Sequence, residues 1–142
     1  MSNGEQPTLL VVEDSPEDYE MICRGLRHAD VAANIEHCID GDAALEHLAG
    51  CATAQLPDLV LLDLNLPGTD GRDVLRAMQG DARIASVPVV VFSNSSNSND
   101  VSACYKLGAN SFIEKPLGPA AFKTVMQQLR DYWLDLVRLP SR

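Results

Sequence analysis

The chain has 142 residues, of which 22% are charged and 46% hydrophobic, and 20 acidic against 11 basic side chains give a net charge of −9. That is ordinary globular composition at one-domain length, by the usual prior of about 100–200 residues per domain. The acidic balance argues against a nucleic-acid binder, which needs a basic footprint, and no run of about 18 apolar residues offers a membrane span.

The polar opening Met1–Pro7 has no signal-peptide character. Leu9-Leu10-Val11-Val12 is a short apolar run that ends in Glu13-Asp14. Ser15-Pro16-Glu17-Asp18 then starts a helix, with Ser15 as N-cap, Pro16 at the first helical position and Asp18 closing a turn like a capping box. Tyr19, Ile22, Cys23 and Leu26 follow on one helical face.

A weaker strand, Ile35–Ile39, leads through Asp40-Gly41-Asp42 into a helix carrying Ala44, Leu45 and Leu48. After Pro57 comes a second wholly apolar run, Leu59–Leu62, ending in Asp63. Val74, Leu75 and Met78 mark a third helix beyond the Pro67-Gly68 turn, and Val87–Phe92 is another apolar strand, ending in Ser93.

The loop Asn94–Asn99 is almost purely Ser and Asn, with little intrinsic order. Val101, Cys104 and Tyr105 suggest a fourth helix stopped by Gly108. Ser111-Phe112-Ile113 is the last strand, running into Glu114-Lys115-Pro116. Pro119 opens an extended final helix with the stripe Phe122, Val125, Met126, Leu129, Trp133 and Leu136.

Five strand–helix pairs in alternation, with inner strands apolar on both faces, imply an α/β fold with a parallel sheet covered on both sides. The expected architecture is flavodoxin-like, a doubly wound (βα)5 sheet of order 2-1-3-4-5. It forms a single domain over residues 1–142, with a core at 8–130 and a C-terminal extension at 131–142, leaving no room for an output module.

The polar residues fall at strand ends. In such a sheet Glu13-Asp14, Asp63, Ser93 and Lys115 all lie along the carboxyl edge, where ligands bind. Clustered carboxylates repel unless a cation joins them, and an oxygen-only donor set with room for water suits Mg²⁺. With the ion bound, Asp63 can act as a nucleophile toward a phosphoryl group, with Lys115 stabilising charge and Ser93 donating a hydrogen bond. Each residue alone reads as a cap, a turn or a solvent-facing lysine; together they define a site.

Cys23, Cys38, Cys51 and Cys104 are scattered and have no metal-ligand spacing, which suits reduced thiols in a cytoplasmic protein. His28, His37 and His47 show no ligand pattern either.

These residues resemble the receiver domain of two-component response regulators. The resemblance rests on Glu13-Asp14, the run Asp58 to Pro67 around Asp63, Asp70-Gly71, Ser93 and Lys115-Pro116, with gaps of 30 residues from Asp63 to Ser93 and 22 from Ser93 to Lys115. It implies that Asp63 is the phosphoacceptor. It further implies that Asp14, Asp63 and the backbone carbonyl of Asn65 hold Mg²⁺, with Glu13 assisting through water. Lys115 would contact the phosphoryl group, and the bond before Pro116 would be cis. Ser93 and Phe112 resemble the switch pair of that family, although Phe112 also reads as a plain strand aromatic. Asn94 stands where the family often has a small Ala, and its side chain would alter water access to the phosphorylated site.

A narrower resemblance, carried by Tyr132-Trp133-Leu134 and Leu107-Gly108-Ala109-Asn110, is to stand-alone regulators of bacterial and cyanobacterial phytochrome histidine kinases. It implies a phosphoacceptor signalling protein rather than an enzyme, with such a kinase as partner. It also implies a homodimer through the fourth helix, fifth strand and fifth helix. Trp133, Leu136, Val137 and Leu139 either serve that dimer or fold back on their own core. The competing readings are a receiver from another histidine-kinase pathway, a phosphorylation-independent dimerisation module, and a small aspartyl phosphohydrolase. The last would carry D-x-D-x-T after its first strand, a pattern absent here.

Overall fold

The structure is a computed structural model describing residues 6–95 and 97–140. Residues 1–5 of the polar opening, Ser96 of the Ser/Asn loop and residues 141–142 lie outside the described residues.

Five strands, β1 (Thr8–Val12), β2 (Asn34–Cys38), β3 (Leu59–Leu62), β4 (Val89–Ser93) and β5 (Ser111–Glu114), form one sheet of order β2-β1-β3-β4-β5. Every pairing is parallel, as expected from the alternation of elements. The connecting helices are α1 (Pro16–His28), α2 (Gly41–Gly50), α3 (Gly71–Gln79), α4 (Ser98–Lys106) and α5 (Pro119–Leu129).

Strand pleating sends alternate side chains to opposite faces, so doubly covered strands need apolar residues at every position. Leu10, Val12, Val60, Leu62 and Val91 pack with Leu48, Leu75 and Cys104 on the side of α2, α3 and α4. Leu9, Val11, Leu59, Leu61, Val90 and Phe92 pack with Ile22, Leu26, Phe122 and Met126 on the side of α1 and α5. These two cores fix the register of β1, β3 and β4, and so place their carboxyl ends side by side.

Local signals act where the sequence put them. Ser15 Oγ accepts from Asp18 N at 3.2 Å and Asp40 Oδ1 from Ala43 N at 2.7 Å, capping α1 and α2. Gly108, at φ 104°, lets the chain leave α4. Asn110 then brackets the start of β4: its N–H donates to the Val89 carbonyl at 2.9 Å, and its Oδ1 accepts from Val89 N at 2.8 Å.

Two segments depart from expectation. A short helical turn, Ala82–Ala85, lies between α3 and β4 and buries Ile84. The last helix is α-helical only to Leu129, and Arg130–Leu136 is wound as a π-helix, with Val137 N donating to Tyr132 O at 2.9 Å. The changed winding breaks the expected stripe: Trp133 packs on the core beside α5, whereas Leu136 is 75% exposed. The tail thus folds back in part and leaves apolar surface in part.

Candidate functional site

β1 continues its ladder one residue past the strand, with Glu13 N donating to Cys38 O at 3.0 Å, and β3 does likewise, with Asp63 N donating to Val12 O at 3.0 Å. Glu13 and Asp63 are therefore held on adjacent strand ends, both nearly inaccessible, at 1% and 6% exposure. One carboxylate oxygen each from Glu13, Asp14 and the Asp63 side chain lies within 4.8 Å of the others. Asp14 is the exposed member.

α3 begins hard against this edge. A Cβ on Gly71 would come within 2.5 Å of the Asp63 carbonyl oxygen, so only glycine permits the approach. The Leu64 carbonyl is taken by Gly71 N at 2.8 Å and Leu66 N at 3.0 Å. The neighbouring Asn65 is exposed, in the same loop as Asp63.

Lys115 closes the pocket from beyond β5. Its Nζ lies 2.8 Å from Glu13 Oε1, 2.8 Å from Asp18 Oδ2 and 3.1 Å from Asp63 Oδ2. An ammonium has three protons to donate, and three carboxylates surround it. Burial works against its charge, but the hydrogen bonds it donates to Asp18 and Glu13 and the charges of Asp63 and Glu13 prevail and hold it above the ordinary lysine value. Burial dominates at Glu13, whose carboxyl is pushed up to about 7 despite its bond to Lys115, with the Asp63 charge adding to the rise.

Asp63 Oδ2 faces Lys115, while Oδ1 is buried with no hydrogen-bond partner. A buried carboxylate oxygen left unpaired is costly, and Asp63 belongs to an all-oxygen acid trio. A hard divalent cation fits both facts: Glu13, Asp14 and Asp63 are the residues that would hold it.

Ser93 ends β4, fully buried, and its Oγ accepts from Ser95 N at 3.2 Å. Ser95 Oγ donates in turn to Asp100 Oδ2 at 2.6 Å, and Asp100 pairs with Arg72 of α3. Phe112 is on the neighbouring strand, where Ser93 pairs with Glu114, and its half-buried ring packs on the core beside α4. The bond before Pro116, expected to be cis, is trans: no peptide bond among the described residues is cis. Trans is the favoured form of X–Pro by about 0.5–1 kcal/mol, and with it Lys115 still reaches its acids.

Two contributors were missed in the sequence. Asp18 is a third acid on Lys115, not the return half of a capping box; that part is taken by Glu13 Oε2, which accepts from Ser15 N at 3.1 Å. His37 Nε2 lies 2.8 Å from the Glu13 carbonyl oxygen and so donates to it, and Tyr19 stacks on its ring at 3.6 Å.

A doubly wound parallel sheet whose carboxyl edge gathers acids, a buried lysine and a strand-end hydroxyl defines a signal-receiver protein. The chain belongs to the response regulator receiver domain family, whose pattern matches residues 9–127. It is 33% identical to the response regulator Rcp1 of Synechocystis over 146 residues, covering 99% of each chain. Among solved structures, the phosphorylated cyanobacterial phytochrome response regulator RcpA superposes with a TM-score of 0.90 at 33% identity, covering 96% of this chain and 100% of the other. The Mn²⁺-bound form of Rcp1 superposes at 0.86 and 33% identity, covering 95% and 99%. Among the described residues no helix is long and apolar enough to cross a membrane.

Proposed function

We propose that the chain is a phosphoacceptor switch that takes a phosphoryl group from the phosphohistidine of a histidine kinase onto Asp63, with Mg²⁺ as the cation. The observation that carries the reading is the buried Asp63 carboxylate, with Oδ2 on Lys115, Oδ1 unpartnered, and Glu13 and Asp14 beside it in one acid trio.

Asp63 attacks phosphorus, the bond from phosphorus to the histidine nitrogen breaks, and that nitrogen keeps the electron pair. Bound at Glu13, Asp14, Asp63 and the Asn65 carbonyl, Mg²⁺ would supply positive charge for the phosphoryl oxygens. Lys115 holds charge on the same group, and Ser93, whose hydroxyl accepts from Ser95 N, moves toward it to donate its proton, with Phe112 turning in behind. The acyl phosphate and any slow self-hydrolysis are the whole of its chemistry; it is not a turnover enzyme.

Giving up the Ser93–Ser95 contact would disturb the Ser95–Asp100–Arg72 chain at the start of α4, which supports a signal read on the face of α4, β5 and α5. That face carries a cavity of about 590 Å³ lined by residues that include Ser111, Ile113, Val125, Leu129, Tyr132 and Trp133, and the same tail exposes Leu136. It suits a second copy of the chain, giving a homodimer. The likeness to RcpA supports a phytochrome-type kinase as the partner. Four free cysteines, Cys23, Cys38, Cys51 and Cys104, suit the reducing cytoplasm.

The test is transfer from a ³²P-labelled phytochrome-type histidine kinase in Mg²⁺, with sedimentation in the presence and absence of beryllofluoride. Labelling that disappears in Asp63→Asn is expected; labelling unchanged by that substitution overturns the reading.

A further inference from the structure

Three acids hold Lys115, but they differ in what else is asked of them. Glu13 and Asp63 belong to the trio that would take the cation. Asp18 does not, although its Oδ2 lies as close to the ammonium as Glu13 does, at 2.8 Å, across 97 residues of sequence. Once a cation draws on Glu13 and Asp63, Asp18 is the acid among the described partners of Lys115 that remains free for it.

Its placement is built. Pro16 opens α1 and Ser15 caps it through Asp18 N, which fixes the backbone, while Glu13 Oε2 has already taken the Ser15 N–H. The Asp18 carboxylate is thereby released from capping, and it is one-quarter exposed against 3% for the Lys115 side chain. It is a solvent-side anchor on a buried ammonium.

We propose that Asp18 is a positioning residue for the phosphoryl-accepting site, holding the Lys115 ammonium while the divalent cation occupies the acid trio. The inference rests on the phosphoacceptor reading above. Without Asp18, the ammonium has, among the described residues, only Glu13 and Asp63 to bind, so it competes with the cation for both. It also has no fixed station from which to meet the incoming phosphoryl group.

The experiment compares wild type, Asp18→Asn, Asp18→Glu and Glu17→Gln. Glu17 removes the same charge one residue away, from a side chain whose hydrogen bond is to Ser15 Oγ and not to Lys115. Mg²⁺ affinity is measured by calorimetry, and circular dichroism checks the fold. The Lys115 ammonium resonance is followed by ¹⁵N NMR at saturating Mg²⁺. Asp63 labelling by acetyl phosphate is timed in the same Mg²⁺; there the Asp63 oxygen–phosphorus bond forms as acetate leaves.

Asp18→Asn is expected to bind Mg²⁺ about tenfold more weakly, the scale of one lost charge-assisted contact. It should also lose the protected ammonium signal and label more slowly even at saturating Mg²⁺. Asp18→Glu should recover most of each, and Glu17→Gln should match wild type. Equal losses in Glu17→Gln and Asp18→Asn, or an Asp18→Asn protein that matches wild type, overturn the proposal. Failure of wild type itself to label overturns the phosphoacceptor reading instead.

Discussion

Replacing Lys115 with Met removes the ammonium that the three acids share while keeping most of its volume. The Lys115, Glu13 and Asp63 side chains are 3%, 2% and 7% exposed, so the pair is buried on both sides. Removing one partner of a buried ion pair costs about 3–5 kcal/mol, because the other charge stays desolvated. For a chain of this size that is a drop of roughly 10–20 °C in Tm.

A proton can replace part of the lost charge. Glu13 is held at about 7 in the folded chain against 4.5 in the open chain, and loss of the ammonium drives it higher. Between those values the folded state binds a proton that the unfolded state lacks, so stability falls as pH rises. The deficit of Lys115→Met, measured by thermal unfolding in EDTA, should therefore be larger at pH 8 than at pH 6. Mg²⁺ at a hundred times its Kd should return about 2.7 kcal/mol. Unfolding identical to wild type at pH 8, or a larger deficit at pH 6, refutes the reasoning.

Other perturbations separate the parts of the fold. Gly71→Ala should lower stability by about 1–3 kcal/mol in urea melts and weaken Mg²⁺ binding, since its Cβ meets backbone atoms of Asp63 and Leu64. Arg72→Ala should cost about 0.5–1 kcal/mol, because the Arg72–Asp100 pair is partly exposed, and hydrogen exchange should quicken in the first turn of α4. Leu136→Asp should leave monomer stability within about 0.5 kcal/mol while weakening self-association in sedimentation, given its exposure.

The sheet was legible because doubly buried strands announce themselves. Leu9–Val12, Leu59–Leu62 and Val87–Phe92 are apolar at every position, and the first polar residue after each is where the chemistry lies. Spacing alone then ordered Asp63, Ser93 and Lys115 along one edge. Asp18 was misread because an acid at that turn of a helix fits a capping box equally well, and only folding reveals Lys115 beside it.

The part played by His37 was hidden for a similar reason. Its partner is the backbone carbonyl of Glu13, one residue past β1, and a carbonyl has no sequence signature. The turn at Ala82–Ala85 carries one buried apolar residue, Ile84, too few for a period to show. The π-helical end was invisible because the α-helical stripe of Trp133 and Leu136 fits the residue pattern, whereas the hydrogen bonding chose another winding.

The most direct measurement is to locate the phosphoryl group by mass spectrometry after incubation with acetyl phosphate, in Mg²⁺ and in EDTA. A single acyl phosphate on Asp63, formed in Mg²⁺ and missing in EDTA, is the expected result. Phosphate at another residue, or on Asp63 to the same extent in EDTA, would contradict a cation-assisted transfer to this carboxylate.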